Sequence, residues 1–116
     1  MTLSELEKLL EAEVICGHQY LDQEFTCAGA SDLMSDVLAF GKPGIVLLTG
    51  LANIQSVCTA EIIEAKALVY VRGRKPSEEG IRLAEKNKMP ILSTDFLMYK
   101  SCGLLFGRGI CGIGDR

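Results

Sequence analysis

Arg72, Arg74 and Lys75 form the only dense positive cluster in the chain, immediately ahead of Pro76–Ser77–Glu78–Glu79. Cations beside a helix start can clamp a phosphate or an acidic partner through charge-assisted hydrogen bonds. The alternative is a solvated loop whose charges pair with Glu78 and Glu79 at little energetic gain. Three further segments have the same grammar of an apolar run followed by small polar residues: Ser31–Asp32, Thr49–Gly50–Leu51–Ala52–Asn53 and Ser93–Thr94–Asp95. If these apolar runs are parallel strands, all four loops stand at their carboxyl ends, where open α/β sheets bind ligands and helix N-termini present unpaired N–H groups. An anion or a nucleotide fits such an edge. The competing reading is that each Ser, Thr and Asp caps its own helix. No Walker-type glycine–lysine motif and no Gly-x-Gly-x-x-Gly occurs at any of these turns. The candidate ligand-binding set is therefore Ser31, Asp32, Thr49, Gly50, Asn53, Arg72, Arg74, Ser93, Thr94 and Asp95.

The remaining chemistry-bearing residues assemble no catalytic centre. His18 is the only histidine and falls in a Gly17–His18–Gln19 turn, so neither a histidine triad nor a multi-histidine metal site can be built around it. Asp32 and Asp36, four apart, read as one capping and one solvated carboxylate. The five cysteines (Cys16, Cys27, Cys58, Cys102, Cys111) include no Cys-x-x-Cys pair. They read as reduced thiols of a cytoplasmic protein, with Cys102 packed and Cys111 exposed, and no metal site is expected.

The elements that must position these loops follow from local signals. Thr2-x-x-Glu5 has the spacing of a capping box, and Leu3, Leu6, Leu9 and Leu10 share one helical face, which predicts a helix over 3–12. Strands are predicted at Val14–Cys16 and Glu24–Thr26, the second leading through a small-residue turn at Cys27–Ala30 onto a helix capped by Ser31 or Asp32. Gly44–Thr49 is apolar on successive residues, as in a central strand covered on both faces. Residues 53–58 fit a helix or a short strand equally, with a short helix following from Thr59 or Ala60 to Lys66. Ala67–Val71 is a buried strand, Ser77 caps a helix reaching Asn87, Pro90–Ser93 is a last strand, and Asp95 caps a final helix.

This alternation predicts a single α/β domain at 1–106 with a mainly parallel sheet flanked by helices. The glycine-rich residues 107–116 are expected to be a flexible tail. At 116 residues and 48% hydrophobic content the chain can bury a core unaided. Its net charge of −3 argues against nucleic-acid binding. No apolar run approaches the roughly 20 residues of a membrane span, and Met1–Lys8 lacks a signal-peptide core.

The chain resembles the DRTGG-domain family over nearly its whole length. The likeness is carried by Asp22, Thr26, Ala30–Ser31–Asp32–Leu33, Thr49–Gly50, the turn before Pro76, and Ala84 with Met89–Pro90–Ile91–Leu92. It departs at the signature, where Gln23 replaces the arginine and Cys27–Ala28 replace the paired glycines. The resemblance implies a fold similar to the N-terminal domain of HPr kinase and of some Mur ligases. It also implies a regulatory or assembly role, and the small domain and its relatives imply a homodimer. Together with the rim loops and the missing catalytic constellation this gives the expectation of a non-enzymatic module that binds a partner protein and a small anionic ligand such as an adenine nucleotide or phosphate, with no required cofactor. The alternatives it carries are a phosphotransfer component resembling HPr kinase, whose P-loop this sequence lacks, and a redox-linked accessory factor of an iron-hydrogenase system.

Overall fold

The structure, a computed structural model, describes residues 1–114. Its strands are β1 (Glu13–Cys16), β2 (Cys27–Ala30), β3 (Val46–Thr49), β4 (Ala67–Tyr70), β5 (Ile91–Ser93) and β6 (Cys111–Gly112). Its helices are α1 (Leu3–Leu9), α2 (Met34–Phe40), α3 (Ile54–Ile62), α4 (Glu78–Lys86) and α5 (Met98–Gly107). They form one sheet in the order β1-β5-β4-β3-β2-β6, parallel throughout except for β1, which runs antiparallel to β5. The expected α/β fold with a mainly parallel sheet is the observed one.

Side chains alternate across β3 and β4, so each strand feeds two cores. Leu47, Leu68 and Tyr70 pack with Val37 of α2, Val57 and Ala60 of α3 and Ala84 of α4. Val46, Leu48 and Val69 pack on the other face with Leu3 and Leu6 of α1 and Leu105 of α5. Cover on both faces is what the unbroken apolar run of β3 required. Thr2 and Glu5 form the reciprocal capping box of α1, and Ser77 caps α4 by accepting from the Gly80 N–H. Residues 53–58 belong to one helix: Asn53 caps α3 by accepting from the Ser56 N–H, and the helix continues without a break to Ile62.

Three local expectations are corrected. The second strand is Cys27–Ala30, not Glu24–Thr26; Glu24 makes only an isolated bridge to Thr2. The small residues expected to form a turn are the strand itself, because Gly29 leaves room for Ile113 to lie against the sheet, where a Cβ would collide with the Ile113 side chain. Neither Ser31 nor Asp32 caps α2, whose N-cap is Leu33, and Asp95 does not cap α5, whose N-cap is Leu97. Residues 107–112 have defined partners: Gly107 ends α5, Ile110 is buried, and Cys111–Gly112 pair with Cys27–Ala28. Residues 115–116 lie outside the described residues.

Candidate functional site

Because β2, β3, β4 and β5 are parallel, the loops that follow them stand on one rim, and backbone bonds lace these loops together. Ser31 N–H donates to Leu48 O, Val71 N–H to Thr49 O, Arg72 N–H to Phe96 O and Gly73 N–H to Thr94 O. β1 enters at the same rim, Glu13 lying opposite Ser93, and there the Glu13 carboxylate pairs with Lys75 at 2.9 Å. Both partners of that pair are largely exposed, so it holds the loop weakly.

The centre of the rim is Gly50. On one side the Asp32 carboxylate accepts from the Gly50 N–H at 2.6 Å and from the Thr49 hydroxyl at 3.1 Å. On the other side the Arg72 guanidinium folds back over Gly50, and its Nη2 donates to Gly50 O at 3.4 Å. Two conformational features permit this. Arg72 and Gly73 both have positive φ, 61° and 68°, which reverses the chain after β4. Gly50 has no Cβ, and one placed there would stand 2.5 Å from Arg72 Nη2. A carboxylate, a glycine and an arginine from three different loops thus form one charged ledge. Among the described residues neither Arg72 nor Arg74 has a carboxylate within ion-pair distance, and both residues are exposed.

The other expected site residues take different positions. Thr49, Ser93 and Thr94 are on the rim but buried, and their hydroxyls are spent internally. Thr49 donates to Asp32 and accepts from Leu51 N–H; Ser93 donates to Arg74 O; Thr94 donates to Leu10 O at 2.6 Å and accepts from Phe96 N–H. Ser31 accepts from Leu33 N–H in a local turn. Asn53 is occupied as the cap of α3, and Asp95 stands beside Gly73, its Oδ1 3.0 Å from where a Cβ would lie. Thr26 precedes β2 and lies at the opposite edge of the sheet, with exposed Asp22 in the turn that leads toward it. His18 is exposed in the short 3-10 turn after β1.

Three features had no readable signal in the sequence. Tyr70 and Ser56, both fully buried, share a hydroxyl–hydroxyl hydrogen bond of 2.7 Å beneath the start of α3. Burial holds the Tyr70 phenol above its ordinary value. Cys27 and Cys111 are joined by a disulfide across β2 and β6, correcting the expectation of five reduced thiols; Cys16, Cys58 and Cys102 are free. The third feature is an apolar groove of about 630 Å³ between α2 and α5, bordered by the exposed rings of Phe40, Tyr99 and Phe106. Exposed aromatics can be suspected from sequence only when the helix faces are already known. Gly107-x-Gly109-x-x-Gly112 has dinucleotide-fingerprint spacing, yet it leads from the end of α5 into β6 rather than from a strand into a helix.

No protein-family model matches the chain, and no curated protein matches its sequence. A structural match is the regulatory region, comprising CBS and DRTGG domains, of a Clostridium perfringens pyrophosphatase in complex with its activator, diadenosine tetraphosphate. The TM-score is 0.73 at 17% sequence identity, over 90% of this chain and 45% of the other. This chain therefore spans less than half the length of that regulatory region. At that identity the likeness is one of fold, and the fold is DRTGG-like. Among the described residues no helix is long and apolar enough to cross a membrane.

Proposed function

We propose that this protein is a non-enzymatic regulatory or assembly module that binds a phosphate-bearing ligand of the adenine-nucleotide class at the Asp32–Gly50–Arg72 ledge. The observation that carries this reading is the pair of exposed arginines, Arg72 and Arg74, held on the carboxyl rim of a parallel sheet with no carboxylate paired to them among the described residues. The ledge also supplies a carboxylate for ribose or base hydrogen bonds. The fold shared with a regulatory region solved with a dinucleotide activator supports the same ligand class. The rim hydroxyls of Thr49, Ser93 and Thr94 are buried and bonded within the protein, which favours recognition over bond-making.

The expected result is a melting temperature that rises with the concentration of ATP or diadenosine tetraphosphate. At a hundredfold excess over Kd the gain is about 2.7 kcal/mol. For a domain of this size it is a shift of roughly 10 °C. The R72A/R74A double variant should melt like the parent without ligand and lose the shift. A shift that survives in the double variant removes the ledge from the site.

The module acts as a homodimer within a cytoplasmic assembly and passes ligand occupancy to a partner protein. Support for a second copy comes from Phe40, Tyr99 and Phe106, which are 66%, 91% and 72% exposed around one groove, more apolar surface than scattered single residues explain. Light scattering should return twice the 12.6 kDa of one chain, falling to the single-chain mass in a Phe40→Glu/Phe106→Glu variant. A single-chain mass for the parent would end the dimer reading while leaving ligand binding to its own test.

A further inference from the structure

β6 is two residues long and is attached to β2 by the pairs Cys27↔Cys111 and Ala28↔Gly112. A ladder that short at a sheet edge is weak by itself. Three side-chain features reinforce it. Ile110 is buried in the core beneath α1 and α5, Ile113 lies against the opposite face over Gly29, and the disulfide joins Cys27 to Cys111. The bond closes a loop with a sequence separation of 84, so without it nothing covalent near β2 holds β6 in place. Cys111 is exposed, whereas Cys27 is half-buried, which gives a reductant a sulfur to attack. Residues 110–113 form one wall of the apolar groove whose floor is Ala28–Gly29–Ala30.

We propose that Cys27 and Cys111 form a reversible thiol–disulfide clasp that fastens β6 to the edge of β2, and that its reduction releases β6 and opens the groove between α2 and α5. The reductant is a small dithiol. Its first thiolate attacks Cys111 Sγ, the Cys27–Cys111 bond breaks, and Cys27 departs as a thiolate that takes up a proton. The second sulfur, once deprotonated, attacks the mixed disulfide, frees Cys111 as a thiol and leaves the reductant as a cyclic disulfide. Two electrons and two protons pass from reductant to protein. This inference is independent of the ligand ledge, which lies on the loops after β2, β3 and β4.

The test uses the full chain. After air oxidation with no thiol or disulfide additive, thiol titration in denaturant should find the three free cysteines, and after dithiothreitol and its removal all five. Hydrogen exchange over 27–31 and 108–114 should then accelerate at least about tenfold on reduction, with β3, β4 and β5 unchanged. The C27S/C111S variant should exchange like the reduced protein whether or not dithiothreitol is present. An Ile113→Ala variant retains the disulfide but loosens β6, and dithiothreitol should reduce it at least about fivefold faster. Five thiols after oxidation, equal exchange in the two redox states, loss of protection across the whole sheet, or an unchanged reduction rate in Ile113→Ala would each overturn the clasp.

Discussion

Leu68→Ala should cost about 2–5 kcal/mol of folding stability, the range for truncating a fully buried leucine. Leu68 is 0% exposed at the middle of β4, its backbone paired with Leu47 and Ile91 on either side. Its side chain belongs to the core between the sheet and the helices α2, α3 and α4. The site cannot collapse easily, because the strands on both sides hold the backbone in register. Domains have roughly 5–15 kcal/mol in total, so about an eighth of the stability or more would go. Urea denaturation is the direct measurement: the midpoint should fall with the slope unchanged. Ile62→Ala on α3 is the matched control, since Ile62 is 68% exposed and its loss should stay within about 0.5 kcal/mol. Equal stability of Leu68→Ala and Ile62→Ala would refute the placement of this core.

The second large effect concerns the buried hydroxyl pair. Ser56 donates its one proton to Asn53 O at 2.7 Å, so in the Tyr70–Ser56 contact Tyr70 must be the donor. Ser56→Ala leaves the Tyr70 hydroxyl buried without a partner and should cost about 1–3 kcal/mol, whereas Tyr70→Phe removes the donor itself and should cost about 0.5–1.5 kcal/mol. The reverse order would contradict the donor assignment. The same phenol predicts alkaline behaviour. Burial raises the folded-state pKa of Tyr70 above its ordinary 10.0, the Ser56 hydrogen bond opposing the rise only in part. Above that ordinary value the unfolded chain has lost the phenol proton and the folded chain has kept it, so stability falls as pH rises. The contribution is complete below pH 10.0 and is lost as pH climbs through the raised folded value. Buried Cys16 adds a loss of the same sign that begins above 9.0. Denaturation midpoints should therefore decline above pH 9.0, and Tyr70→Phe should flatten the part of the decline above 10.0. An unchanged slope in that variant would remove Tyr70 as a source.

The rim itself was legible because parallel α/β topology forces every strand of one direction to deliver its following loop to one edge. The individual roles of its polar residues were not. Ser31, Asp32 and Asp95 stand where caps belong, yet the chain continues to Leu33 and Leu97 before turning helical. Asp32 is drawn instead to the Gly50 N–H, eighteen positions away in sequence. Short polar side chains can serve a helix end or another loop with similar energy, and the choice depends on what the sheet places opposite them.

Local physics acts over about four residues, and within that reach the sequence was sufficient for this protein. The Thr2–Glu5 capping box, the Ser77 cap and the doubly covered run of β3 needed no distant partner to be recognised. Features made by distant pairs were decided only by assembly. β2 formed at Cys27–Ala30 because small side chains there admit Ile113, which is more than eighty residues away. The same juxtaposition brought Cys27 to Cys111, and the αL reversal after β4 brought Arg72 over Gly50. Strand register and side-chain proximity are long-range quantities, set by which faces the whole chain must bury.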